Sequence, residues 1–187
     1  MPAQHGRIGA MICVHSRLRA FLFSASIGCA CMSRNLSENR LTGAVLLALL
    51  ALMWLGMVLG VSFLATTAKF AAPTLSLNAA LDVGRHTFRL FIHVELVFVA
   101  ALALVALGFA RDGLTWVMVA LVAAIVGFEF VWLLPTLDQR VGTIVAGGTP
   151  AASNVHEIYI ALEGIKAAIL CTLGVRAVLS LPADASD

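Results

Sequence analysis

Residues 41–68, LTGAVLLALLALMWLGMVLGVSFLATTA, contain no Asp, Glu, Lys or Arg. About 20 consecutive apolar residues are enough for an α-helix to cross the roughly 30 Å hydrocarbon core of a bilayer. The stretch therefore predicts a membrane-spanning helix, which we place at about 41–65. Three more apolar stretches follow, at about 88–110, 114–134 and 155–181.

The composition points to the same class of protein. Hydrophobic residues make up 61% of the 187 residues and charged residues 12%, whereas about a quarter of an ordinary soluble domain is charged. The formal net charge is only +2 and Lys and Arg form no run, so nothing predicts nucleic-acid binding. We predict an all-α, membrane-embedded, antiparallel four-helix bundle over residues 40–182.

The two ends of the chain are predicted to lie outside this bundle. We expect residues 1–39 to form an N-terminal segment that is disordered or precedes the true start, with Met32 as the alternative initiator. A targeting peptide is the other interpretation, because Arg17 and Arg19 precede a short apolar stretch. Residues 183–187 are predicted to be a short polar tail.

Capping and breaking residues predict the connection after the first span. Pro73 is expected to end that helix. Asn78 is then expected to cap a short helix within residues 74–84, which would lie flat on the membrane surface. Gly56 and Gly60 lie four residues apart on the first span, and such spacing favours close approach of a neighbouring helix.

Turn, helix-breaking and capping residues also predict the connections after the second and third spans. The short turn at residues 111–113 makes the second and third spans antiparallel neighbours. Pro135 is expected to end the third span. Ser153 or Asn154 is expected to cap the fourth helix.

The distribution of basic residues predicts the orientation. Four crossings place both termini on one side of the membrane. That side has seven basic residues (Arg7, Arg17, Arg19, Arg34, Arg40, Arg111 and Arg176) and the other has four (Lys69, Arg85, Arg89 and Arg140). The excess predicts cytoplasmic termini. Initiation at Met32 would balance the two sides at four each and leave the orientation open.

Four polar residues of the last span share one helical face. His156, Tyr159, Glu163 and Lys166 fall within about 80° at 100° per residue. Such a stripe should face the bundle interior, because an ionisable group in lipid costs several kcal/mol unless it is partnered. Glu163 and Lys166 are three residues apart and are predicted to pair directly.

The direction of the spans draws further ionisable residues to the non-terminal end of the bundle. With Tyr159 and Lys166, the candidate site residues are Lys69, Arg85, Arg89, His93, Glu95, Glu129, Asp138, Arg140, His156 and Glu163. A structural ion pair, a pocket for a lipid, small molecule or membrane-protein partner, and a proton path through the three glutamates are all open interpretations.

The sequence gives limited support to a metal site or to cofactor chemistry. His93 and Glu95 lie about 160° apart on one helix, and His156 is nearly two turns from Glu163, so neither pair can chelate one ion. The helical Glu-x-x-His motif of di-iron bundles and the nucleotide-binding fingerprints are absent. We predict no cofactor and leave the catalytic residues, and enzymatic activity itself, open.

Two main functional hypotheses remain, and a transporter, which would have to oligomerise because four helices without a repeat make a small transport unit, is the third. The first is an accessory or binding protein whose polar cluster receives a lipid, small molecule or protein. The second is a membrane oxidoreductase that uses His93, Glu95, Glu129, His156 and Glu163.

Five segments carry a family resemblance: FLAT at 63–66, KFxAP at 69–73, ALDVGR at 80–85, LLPxLDxR at 133–140 and HxxYIALExxK at 156–166. Together they resemble small bacterial four-helix integral membrane proteins of unknown function, over about residues 46–173. A looser pattern, WLxP at 132–135 and then a His that opens the last helix, is similar to another uncharacterised four-helix family. A weaker likeness is to anthrone-oxygenase-like membrane proteins. These resemblances imply a four-helix fold and a location in a bacterial inner membrane, but no activity.

Overall fold

The computed structural model describes residues 38–110 and 112–181. This part of the chain is all-helical and contains no strand. It has four long helices: α1 (Glu38–Ala71), α2 (Leu77–Phe109), α3 (Gly113–Val145) and α4 (Val155–Leu179). Each is long and apolar enough to cross a membrane. The predictions for residues 1–37 and for the tail at 183–187 lie outside the described residues.

The apolar residues divide between a packed interior and the outer surface. Trp54, Leu102, Val122 and Leu170 are fully buried between the helices. Many large apolar side chains instead lie on outward faces, and Leu64, Leu90, Val131 and Leu179 are 71% to 78% exposed. Soluble monomers rarely expose contiguous apolar surface of this extent.

The connection between α1 and α2 differs from the prediction. Helix α1 ends at Ala71, just before Pro73, as expected. Helix α2 then begins at Leu77, because the Ser76 hydroxyl accepts a hydrogen bond from the Ala79 amide at 3.3 Å. The predicted cap at Asn78 is therefore wrong. Since α2 continues without a break to Phe109, the predicted separate surface helix does not form.

The turn before α3 is stabilised by a side-chain cap. The Asp112 carboxylate accepts a hydrogen bond from the Thr115 amide at 2.9 Å and another from the Thr115 hydroxyl. The hydrogen bond from that amide is the main cause that lowers the pKa of Asp112 below its ordinary value. Arg176 of α4 also reaches this carboxylate, at 3.3 Å.

Pro135 does not end the third span, contrary to the prediction. Proline lacks an N–H and its ring clashes with the carbonyl four residues earlier, so it normally breaks a helix. Here the turn before it widens into a π-helical segment, Glu129–Leu133, in which the Leu134 amide donates to the Glu129 carbonyl. The wider turn absorbs the proline, and α3 continues to Val145. Helix α1 contains a similar segment, Leu59–Ala65.

Close helix contacts occur at other glycines than predicted. No atom of another described helix lies within 4 Å of a Cβ built at Gly56 or Gly60, so the predicted small-residue face is not used within the described chain. A Cβ at Gly43 would instead collide with the Cβ of Phe109 on α2. Helix α1 therefore depends on a glycine at position 43 for its contact with the end of α2.

Substitution of Gly43 by alanine should consequently destabilise the protein. The added methyl group has to displace Phe109, and overpacking of this kind costs about 1–3 kcal/mol. Gly56→Ala is the matched control on the same helix, and it should be neutral or slightly stabilising because alanine favours helix more than glycine does. Thermal unfolding of the purified protein in detergent would show equal melting temperatures for the two variants if the contact at Gly43 were absent.

Candidate functional site

Four ionisable side chains meet in the bundle interior. Glu95 comes from α2, Glu129 from the π-helical segment of α3, and Glu163 and Lys166 from α4. We call this group the buried quartet. Their side chains are at most 2% exposed. Three helices thus each contribute an acidic residue to a region that excludes solvent.

Lys166 lies at the centre of the quartet. Its Nζ donates hydrogen bonds to Glu163 Oε1 at 2.6 Å and Glu129 Oε2 at 2.7 Å. The same Nζ lies 2.7 Å from Glu95 Oε1. An ammonium group has three N–H donors, so its capacity matches three carboxyl partners. The contact between Glu163 and Lys166 is the one that their spacing of three residues predicts.

Helix α1 adds an uncharged donor to the quartet. The indole Nε1 of Trp54 donates to Glu95 Oε1 at 3.1 Å. Trp54 is fully buried and stacks on Phe98 of α2, with 5.6 Å between ring centroids. All four helices therefore contribute a side chain to this hydrogen-bonded group.

The quartet contains more hydrogen-bond acceptors than its donors can satisfy. Glu129 Oε1 and Glu163 Oε2 are buried and have no hydrogen-bond partner in the described chain. Oxygens of Glu95, Glu129 and Glu163 lie within 4.8 Å of one another, a spacing that suits a metal ion. The ammonium of Lys166, however, already contacts all three carboxyl groups, so a metal ion there would have to displace it.

A cavity of about 350 Å³ opens beside the quartet. Aliphatic and aromatic side chains form most of its wall. Its polar lining residues are Thr66, Lys69, Arg85, Arg89, His93, Asp138, His156 and Tyr159. Pockets of this size, with apolar walls and a few polar groups, are typical of small-molecule sites.

The cavity lining has more cationic side chains than acidic ones. Arg85 Nε lies 2.6 Å from Asp138 Oδ1, and Arg89 Nη2 lies 3.0 Å from the same oxygen. Lys69 has no carboxylate partner among the described residues. Its Nζ lies instead 5.2 Å from the centre of the Phe88 ring and packs against Gly84. Three cations and one carboxylate leave the lining with two uncompensated positive charges when both histidines are neutral.

Tyr159 lies one helical turn from the quartet and also lines the cavity. Its ring packs edge-on against Phe88 at 5.2 Å, and its hydroxyl shares a hydrogen bond of 3.3 Å with the Ser62 hydroxyl of α1. Glu163 follows four residues later on the same face of α4. Tyr159 is therefore the polar side chain that relates the cavity to the quartet.

The predicted cluster is divided into two neighbouring groups. Four candidate residues form the quartet and seven line the cavity. Arg140 belongs to neither group, because its Nη2 donates to the Ala151 carbonyl at 2.7 Å and ties the end of α3 to the following loop. His93 and Glu95, which the helical wheel places on opposite faces, lie in different groups.

Two residues that contribute polar groups to the site, and the convergence of the three acids on one lysine, were not predicted from the sequence. Trp54 and Ser62 lie in the charge-free first span, where no ionisable residue marks them as parts of a site. The convergence of three carboxyl groups on one ammonium was also missed, because helical spacing relates residues of one helix and does not relate those of different helices.

A comparison with protein-family models, curated proteins and solved structures finds no match to this chain.

Removal of the central ammonium should strongly destabilise the protein. Lys166→Met leaves three buried carboxyl groups without their shared partner, and breaking a buried pair in this way costs about 3–5 kcal/mol. Arg176→Met is the matched control, since it removes an exposed contact with Asp112 that is worth at most about 1 kcal/mol. The measurement is thermal or denaturant unfolding in detergent, and equal losses in the two variants would contradict a central role for Lys166.

Proposed function

We propose that this protein is an integral membrane protein that binds a small amphipathic anion in the cationic cavity. The single observation that carries the proposal is the composition of the cavity lining. Apolar walls suit a hydrocarbon portion, whereas Lys69, Arg85 and Arg89 suit a carboxylate or phosphate head group. The ligand class therefore includes fatty acids, alkyl phosphates and anionic lipids.

The arrangement of the cations favours binding of an anion over a purely structural role. Asp138 compensates one of the two arginines but not both. Lys69 rests on the Phe88 ring, a contact that orients the ammonium without neutralising it. An incoming anion would supply the missing charge. The oxidoreductase hypothesis has less support, because its histidines line the cavity while its glutamates belong to the quartet.

The same proposal places the bundle in a bacterial inner membrane, with four antiparallel spans. Four helices of sufficient length, with large apolar side chains on their outward faces, support insertion in lipid. Short connections between successive helices support the antiparallel arrangement. The excess of basic residues at the terminal side supports cytoplasmic termini.

Anion binding can be tested with decanoate as the probe and decanol as its uncharged counterpart. Purified full-length protein should bind decanoate more tightly, because only decanoate can pair with the cavity cations. Lys69→Gln should weaken decanoate binding about tenfold, the equivalent of about 1.4 kcal/mol, and should leave decanol binding unchanged. Arg140→Gln is the control outside the cavity and should affect neither ligand.

Calorimetry or equilibrium dialysis gives both affinities. Decyl phosphate and an anionic phospholipid, measured in the same way, distinguish a free amphiphile from a membrane lipid as the preferred source of the head group. Equal affinities for decanoate and decanol, or an equal loss in Lys69→Gln and Arg140→Gln, would contradict the proposed site.

Orientation can be tested independently of ligand binding. A C-terminal green fluorescent protein fusion should fluoresce in a bacterial host, and a C-terminal alkaline phosphatase fusion should be inactive, because the proposed topology leaves the C-terminus in the cytoplasm. The same two reporters inserted between α3 and α4, after Gly148, should give the opposite pattern. An active C-terminal phosphatase would reverse the proposed orientation.

A further inference from the structure

The buried quartet carries a charge imbalance that its protein contacts do not remove. Three carboxylates and one ammonium, all ionised, give a net charge of −2 in a region that is at most 2% exposed. An uncompensated charge is expensive inside a protein, and more so inside a bilayer. Neutrality requires two positive charges beyond that of Lys166.

Protons suit this requirement better than a metal ion does. The place between the three carboxyl groups that would suit a metal is taken by the Lys166 ammonium, which is 2.6–2.7 Å from each of them. A proton needs no such central space, because it binds to a single oxygen. The quartet also has two buried oxygens without a partner, Glu129 Oε1 and Glu163 Oε2.

The contacts differ among the three acids and indicate which of them hold the protons. Glu95 Oε1 accepts a hydrogen bond from the neutral Trp54 indole N–H and also lies 2.7 Å from the Lys166 ammonium, so one N–H donor and one cation stabilise it as a carboxylate. Glu129 and Glu163 each accept one hydrogen bond, from Lys166, and each has one unpartnered oxygen. A neutral carboxyl group can still accept from Lys166 through one oxygen while the other carries the proton.

We propose that the quartet is a proton-binding site that stores two exchangeable protons, one on Glu129 and one on Glu163. Besides each other, the titratable groups that face these two acids are Glu95 of α2, and Tyr159 and Lys166 of α4. This inference does not depend on which ligand occupies the cavity.

The cavity provides a route for proton exchange. Tyr159 lines it and lies one turn from Glu163, and its hydroxyl already shares a hydrogen bond with Ser62. A hydroxyl both donates and accepts, so Tyr159 can pass a proton between cavity water and Glu163. His156 lies one turn further out on the same face and lines the cavity as well. A hydroxyl that lines the cavity therefore lies one helical turn from the proton store.

Infrared spectroscopy of the purified full-length protein in lipid bilayers, without added ligand, tests this inference. At neutral pH the wild type should show two C=O stretching bands of protonated carboxyl groups, and both should shift in D₂O. Glu129→Gln and Glu163→Gln should each lose one band. Glu157→Gln, a substitution at an exposed position of α4, should lose none.

Two further variants sharpen the test. Lys166→Met removes one positive charge, so a third protonated band should appear. Tyr159→Phe should keep both bands but slow their shift in D₂O several-fold, because it removes the relay hydroxyl. If a glutamine variant fails to fold, the band count of the wild type and its shift in D₂O still decide the question.

Absence of protonated bands in the wild type, a single band, or bands that do not shift in D₂O would each overturn the proposal. Persistence of both bands in Glu129→Gln or in Glu163→Gln would overturn the assignment to these residues. Because no ligand is present, such a failure leaves the decanoate test of the cavity unaffected.

Discussion

One ammonium group shared by three buried carboxyl groups is the constraint on which the rest of the structure depends. Lys166 brings acidic side chains of α2, α3 and α4 to within 2.7 Å of a single nitrogen. In the membrane that we propose for this bundle, helix packing would have little hydrophobic preference between neighbouring helices and lipid. The ionic contacts of Lys166 would then determine which faces of α2, α3 and α4 turn inward and at what height.

The irregular turns of the helices serve this arrangement. Glu129 is the first residue of the π-helical segment that also absorbs Pro135. A π-helical turn changes the direction of the side chains that follow it, and such turns are frequent at functional sites. Helix α1 has its own π-helical segment over Leu59–Ala65, and this segment contains Ser62, the partner of Tyr159. Both irregular turns therefore lie where helices contribute polar groups to the interior.

Much of the fold could be predicted from the sequence, because four apolar stretches and their breaking residues define four helices. The short charge spacing on α4 also predicted the contact between Glu163 and Lys166. The division of the polar residues into quartet and cavity could not be predicted, since it depends on the heights of Glu95 and Glu129 on separate helices. The path of α3 beyond Pro135 depends on a wider turn that proline alone does not signal.

The most direct test of the shared ammonium is solid-state NMR of the protein in bilayers, with ¹⁵N-labelled lysine and ¹³C-labelled glutamate. Lys69 and Lys166 are the two lysines of the chain, so their side-chain nitrogens are readily distinguished. We predict that one lysine Nζ shows close contacts with three different glutamate carboxyl carbons and that the other shows none. Contact of the Lys166 nitrogen with one glutamate only, or with none, would contradict the account.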